Sequence, residues 1–424
     1  MPADGYIRDP SVAAPAAAAA RFGRRYRLLW SATASANLAD GVMVAAGPLL
    51  AASITRDPLL VSGLVVAQRL PWFLLSLPSG AIVDRYDRRR VMIAANLLRA
   101  CVLGLLASTL VVGIENLVVL YAAMFAMGVS ETFVDNAALA VLPAVVARED
   151  IEAANGRIFA TQSVMNELGG PPLGSWLFTL AVAAPFGGAA VAFAAAALLL
   201  TGMRGTYSAT TGNVAGRRSM VSEMREGFRW FWSNRIIRIV AMMAGVVNFF
   251  SAATMGVLVL VAQERLGVGD AGYGVMLGFA AVGGILGGWL AGSVAKRIGW
   301  GPAIFVSNVL PAISHAGIAL TGSVVVATCV LALASFAGMV GNVVVVSLRQ
   351  IAIPDHMLGR VTSVYRMFGL GALPLGAAFG GATANAFGLT APFWIAAACL
   401  GAMAFALLPV LTTQAISRAR HDEE

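Results

Sequence analysis

Four carboxylates interrupt otherwise apolar stretches of the chain: Asp40, Glu131, Asp135 and Glu167. Arg69, Arg99 and Arg366 stand in similar surroundings. An ionisable side chain at membrane depth is costly, so each marks a place where a proton, an ion or a partner charge is handled. Burial favours the protonated carboxyl and a nearby guanidinium favours the carboxylate, so moving one past the other binds and releases a proton. Asp40, Glu131 and Glu167 are the proton-coupling candidates, with Asp40 and Glu131 the better placed. The plain alternative is a set of static ion pairs that fix helix packing.

The elements that position these groups are long apolar runs. Hydrophobic residues make up 59% of the 424 positions and charged residues only 12%. A soluble domain carries about 25% charged residues, so this composition cannot cover a water-facing surface. Runs long enough to cross a ~30 Å hydrocarbon layer as helices lie near 27–53, 58–83, 91–113, 116–140, 154–180, 183–203, 237–263, 271–295, 302–321, 323–348, 359–386 and 389–412. The expected fold is an all-α integral membrane protein with twelve transmembrane helices in two six-helix halves. The divisions are an N-tail at 1–25, a first bundle at 26–203, a linker at 204–236, a second bundle at 237–412 and a C-tail at 413–424.

Charge fixes the orientation. With both termini in the cytoplasm, 24 of the 29 basic residues fall on that side and only Arg56 and Arg265 on the other, as the positive-inside rule requires. The alanine tract at 13–20 is preceded by Asp9 and followed by Arg21, Arg24, Arg25 and Arg27, so the N-tail reads as disordered and not as a signal peptide. The second part of the linker alternates charge with Phe228, Trp230, Phe231 and Trp232, the composition of a helix lying at headgroup level. The three cysteines fall inside apolar runs, so neither a disulfide framework nor a metal site is expected.

A shift of 211–212 residues aligns Asn37 with Asn248, Gly80 with Gly292, Arg85 with Arg297 and Pro143 with Pro354. These matches fall in order at equivalent places, so the two halves repeat one plan. From the helical rise, Asp40 lies roughly 18 Å, and Glu167 about 20 Å, from the cytoplasmic ends of their spans. Arg69 lies roughly 16 Å from the outer end of its own, so these three group near mid-depth. With Asn37 and Asn248 they are the substrate-cavity candidates. Arg99 and Glu131 are shallower, at about 12–15 Å from the cytoplasmic face, and Asp135 is one turn nearer it than Glu131.

The short loop after the second run holds Gly80, Asp84, Arg85, Arg88 and Arg89. It resembles the signature G-x-L-A-D-R-x-G-R-R/K of the major facilitator superfamily, with Asp87 where the family commonly has glycine. The resemblance implies that Asp84 caps the start of span 11, and that Arg88 reaches Asp135 on span 4. Arg99 and Arg366 complete this gating set, which holds the outward-open state and breaks on switching. Gly170, Pro171 and Gly174 in span 5 resemble part of an antiporter signature; a packing kink is the alternative. Further stretches (Asn37 to Gly41, Pro143 to Asn155, Arg225 to Phe231) are similar to the enterobactin-exporter and macrolide-efflux branch.

The resemblance implies alternating access in a bacterial cytoplasmic membrane. The reading is proton-coupled efflux, by a functional monomer in membrane lipid, of a small amphiphilic compound such as a drug, siderophore or secondary metabolite. A proton-linked importer and a degenerate transporter serving as a receptor or scaffold are the alternatives. No metal-binding HExxH, nucleophile elbow or phosphate-binding loop is present, so neither an enzyme nor an ATP-driven pump is expected, and no cofactor or nucleic-acid partner.

Overall fold

The computed structural model describes residues 22–83, 85–205, 207, 220–354 and 357–408. Among these, every regular element is helical. In the first half these are α1 (Arg24–Ile54), α2 (Pro58–Val83), α3 (Arg88–Val111), α4 (Leu117–Val141), α5 (Ile151–Gln162), α6 (Gly170–Leu180) and α7 (Ala184–Thr201). A short helix α8 (Met220–Ser233) leads into α9 (Arg235–Met255), α10 (Asp270–Ile298), α11 (Trp300–Leu320), α12 (Val324–Ala352), α13 (Leu358–Phe387) and α14 (Ala391–Leu407). Ten of the described helices are long and apolar enough to cross a membrane. Twelve is reached by counting the interrupted rod α5–α6 and the 17-residue α14.

Residues that a soluble protein would bury face outward: Leu105, Val118, Leu198 and Trp289 are 68%, 72%, 72% and 80% exposed. Several polar side chains, among them Asn96, Arg99, Ser130 and Thr132, are buried. This inversion suits a hydrocarbon solvent, in which helices are the elements that satisfy their own backbone. In the first half α2 packs on α4, α3 on α4 and α7, and α1 on α6 and α7. The same relations recur in the second half, where α10 packs on α12, α11 on α12 and α14, and α9 on α13 and α14. The halves meet along two seams, α2 against α13 and α6 against α10.

Small residues set how near the helices come. A Cβ on Gly174 would collide with the Val42 carbonyl, and one on Gly170 with the backbone of Gly41. The crossing of α1 with α6 is thus backbone on backbone, as small residues allow in membrane helices. Before this crossing, Ser163–Gly169 widens into a π-helix, in which the Gly170 N–H bonds the Met165 carbonyl five residues back. Pro171 and Pro172 donate no backbone hydrogen bond, which leaves the preceding turn without α-helical donors. Span 7 is also shorter than its apolar run: α9 ends at Met255, and a break at Gly256 leads into a turn at Leu258–Leu260 and a second π segment, Val261–Arg265.

The Arg-rich loop lies at the end of the bundle where α1 and α13 begin and α4 and α7 finish. Asp84 lies outside the described residues, so its expected capping of span 11 finds no description here. Asp87 takes the N-cap of α3, accepting from the Arg90 N–H at 3.0 Å and the Tyr207 N–H at 2.9 Å. Arg89 closes the other side by donating to the Leu200 and Thr201 carbonyls at 2.8 and 2.5 Å. A cation is favoured at those unpaired carbonyls of a helix C-terminus. Arg89 therefore ties the loop to α7 within its own half.

Candidate functional site

A cavity of about 260 Å³ occupies the loop-end half of the first bundle. Each wall is a helical stripe. From α1 come Leu29, Thr33, Asn37 and Asp40, at spacings of three and four that repeat one face. Met92, Asn96 and Arg99 line it from α3, and Glu131, Asp135 and Asn136 from α4. Gln162 and Asn166 reach it from α5 and the π segment, and Arg366 from α13. Arg366 is thus the second half's contribution to this wall.

Two ion pairs join the stripes. Arg99 Nη1 donates to Asp40 Oδ2 at 3.4 Å, with the arginine side chain 1% and the aspartate 22% exposed. The guanidinium lies 5.1 Å from the Phe193 ring, a cation–π distance. Its Nε and Nη2 have no protein partner, and neither does Asn96 Oδ1 one turn away on the same face. Arg69 lies 3.8 Å from Glu131, both side chains more exposed than Arg99. Asp135 is exposed and makes no ion pair within 4.0 Å among the described residues. Arg99 and Arg366 line the same cavity.

This arrangement regroups the expected sets. Asp40 takes the shallower Arg99 rather than Arg69, and Arg69 takes Glu131, because helix azimuth and not depth alone selects a partner. Arg69 is not part of the lining and meets it through Glu131. Glu167 is exposed on the π segment but is not part of the lining, and Asn248 instead donates to the Gly369 carbonyl at 3.0 Å. Arg88 and Asp135 are not an ion pair here. Gly80 lies in the last turn of α2 and Arg85 is exposed in the turn that follows. The amides Asn96, Asn136 and Gln162 were missed by sequence reasoning. For Asn96 the signal was available, since it precedes Arg99 by three and so shares its face of α3.

The opposite end is closed between the halves. Arg56 Nη1 donates to Gln263 Oε1 at 2.6 Å and lies 4.0 Å from Glu264, and Gln263 Nε2 donates in turn to Asp270 Oδ1 at 2.8 Å. Ser62 on α2 packs against Gly256 and Gly381 beside this network.

A family model described as transmembrane secretion effector matches residues 16–422 of the chain. The chain belongs to that family of MFS transporters. Uncharacterised MFS-type transporters of Mycobacterium tuberculosis and Mycobacterium bovis are each 35% identical to this family member over 147 residues, 34% of its length and 33% of theirs. The match thus spans about a third of each relative. Among solved structures, the nucleoside transporter NupG superposes with a TM-score of 0.72 at 11% identity, covering 92% of this chain and 99% of that one. A bacterial homologue of the iron transporter ferroportin in an inward-facing state gives 0.69 at 17% identity, covering 91% and 98%. These two likenesses concern the fold. Family membership makes the chain a multi-pass membrane transporter and not an enzyme.

Proposed function

We propose that this secretion effector exports a small amphiphilic compound in exchange for protons, by alternating access. The observation that carries the reading is the loop-end cavity whose walls hold Asp40, Glu131 and Asp135, two of the three engaged by arginines. With the Arg-rich loop in the cytoplasm, as the positive-inside rule directs, this cavity faces the cytoplasm while the Arg56–Gln263 contact seals the outside. Substrate enters from the cytoplasm and settles against the charged and amide wall, with Leu29, Met92, Ile158 and Phe159 supplying apolar surface. Protonation of Asp40 weakens its hold on Arg99 and lets the halves rock, so the inward proton and the outward substrate alternate on one site.

The same reading makes the chain a monomer of two six-helix bundles in a bacterial cytoplasmic membrane, with both termini cytoplasmic. It takes Asp84, Arg88, Asp135 and Arg366 as contacts of the outward-open state, and drugs, siderophores and related secondary metabolites as the substrate range. The test uses inside-out vesicles with an imposed pH gradient and a panel of labelled amphiphiles. Gradient-driven accumulation that disappears in Asp40→Asn is the expected result. Uptake by right-side-out vesicles held acidic outside, with none by inside-out vesicles held acidic inside, would show a proton-linked importer and reverse the proposal.

A further inference from the structure

We propose that α8 is a binding surface for anionic phospholipid headgroups, and that it passes lipid occupancy to the cavity through α13. The helix has two unlike faces. On one, Phe231 is buried and stacks on Phe368 of α13 with centroids 5.4 Å apart, while Glu226 accepts from Arg360 of α13 at 3.0 Å. On the other, Phe228 and Trp232 stack on each other at 5.8 Å while remaining 42% and 51% exposed.

Arg225 and Arg229 are exposed on that same outer arc. At 3.6 residues per turn, Arg225, Phe228, Arg229 and Trp232 fall within roughly 100° of one another. Neither arginine forms an ion pair within 4.0 Å among the described residues. Arg238 extends the patch, with its guanidinium 5.4 Å from the Trp232 ring and a 2.5 Å bond to the Trp232 carbonyl.

The place of this face in the fold selects the partner. The helix sits where α9 starts at Arg235 and α13 at Leu358, in the layer where spans enter the bilayer. Exposed aromatic rings are at home there because one edge meets acyl chain and the other meets water. Guanidinium groups beside them fit phosphate oxygens as paired donors. Aromatics and arginines interleaved on one arc, in that layer, match a lipid headgroup with its glycerol region. A soluble acidic partner would leave the rings unused.

The route inward is short. Arg360 and Phe368, the two residues that α8 grips, bracket Arg366, which lines the cavity. Headgroup binding that seats α8 therefore holds the loop-end half of α13 and the wall it presents. This second step rests on the transport reading above; the binding step does not.

The experiment places the full-length protein in phosphatidylcholine vesicles containing equal fractions of brominated phosphatidylglycerol or brominated phosphatidylcholine. Quenching of Trp232 is read as the difference between the protein and its Trp232→Phe variant. Quenching should be stronger by the anionic lipid. The preference should fall on the order of 30-fold in the Arg225→Gln, Arg229→Gln double variant, since each arginine near an anionic surface contributes about 1 kcal/mol. The corresponding double lysine variant should keep the preference, which separates charge from any effect on folding. Equal quenching by the two lipids, no quenching of Trp232, or an unchanged preference in the glutamine variant would overturn the proposal. Transport that rises with phosphatidylglycerol in the native protein and not in the glutamine variant supports the link to α13. A flat rate beside an intact quenching preference removes that link alone.

Discussion

Arg99 is the residue whose environment constrains the others most. Its side chain is almost wholly buried, and Asp40 is its one counter-charge within 4.0 Å among the described residues. Removing one partner of a buried pair leaves the other uncompensated, at a cost of about 3–5 kcal/mol. Asp40 is partly exposed, so Asp40→Asn should fall near the low end, about 3 kcal/mol. Arg69→Ala breaks a longer, more open contact with Glu131 and should cost about 1 kcal/mol or less. Thermal unfolding in detergent checks both, and equal losses would contradict the ranking. Asp87 offers a pH test outside the spans. Its burial favours the neutral acid, but the N–H groups of Tyr207, Arg90 and Arg89 and the charge of Arg90 together hold its pKa below the ordinary value. That stabilisation is present above the unfolded aspartate pKa of about 4 and is lost as pH falls through the folded value. Asp87→Asn should therefore unfold at a lower temperature than the native protein near pH 6, and the gap should close toward pH 3. The sequence named Asp40, Arg99, Glu131 and Asp135 as chemistry-bearing residues, but it grouped Asp40 by depth with Arg69, whereas its ion pair is with Arg99. Spacing along one helix gives depth and face, but the pairing of Asp40 with Arg99 depends on how α1 and α3 are rotated against each other.

At the scale of elements, α6 carries the sharpest steric condition. Gly174 meets the backbone of Val42, so a side chain there must push α1 away from α6. Gly174→Leu should lower the unfolding temperature and displace Asp40, which sits two residues before Val42 and faces the cavity. Gly338→Ala in α12 is the control: a Cβ there meets nothing within 4 Å, and removing a helical glycine stabilises by roughly 0.5–1 kcal/mol. Equal destabilisation by both substitutions would remove packing as the reason for Gly174. The run of glycine and proline at 169–172 announced a kink from the sequence. It did not announce that the irregular turn would be a π-helix placing Asn166 on the cavity and Glu167 away from it. That outcome depends on α1 pressing its own Gly41 against the Met165 and Asn166 carbonyls, a contact between segments about 125 residues apart. Long apolar runs gave most span positions within a few residues, because membrane thickness fixes helix length regardless of tertiary contacts.

For the molecule as a whole, the cavity at one end and the Arg56 network at the other are parts of one mechanical argument. The halves meet along α2–α13 and α6–α10, so they can rock about these seams only if contacts at one end break as those at the other form. Arg56, Gln263, Glu264 and Asp270 are mostly exposed or half-exposed, and exposed ion pairs contribute about 1 kcal/mol or less. A latch this weak suits a contact that opens in every turn of the alternating-access cycle proposed above. Arg56→Ala should therefore leave folding almost unchanged while shifting the resting population toward the state open at that end. A population shift from about 1 kcal/mol is roughly fivefold, which labelling of Ser62→Cys by an impermeant maleimide would register as faster reaction. Locking the latch is the reciprocal test. The native Cys101, Cys329 and Cys399 are exposed and must first be replaced by serine. Arg56→Cys and Gln263→Cys joined by a short bis-maleimide should then abolish transport while substrate still binds from the loop end. Transport that persists after complete cross-linking would mean that this end does not open in the cycle, and that the two halves work by some motion other than rocking about their seams.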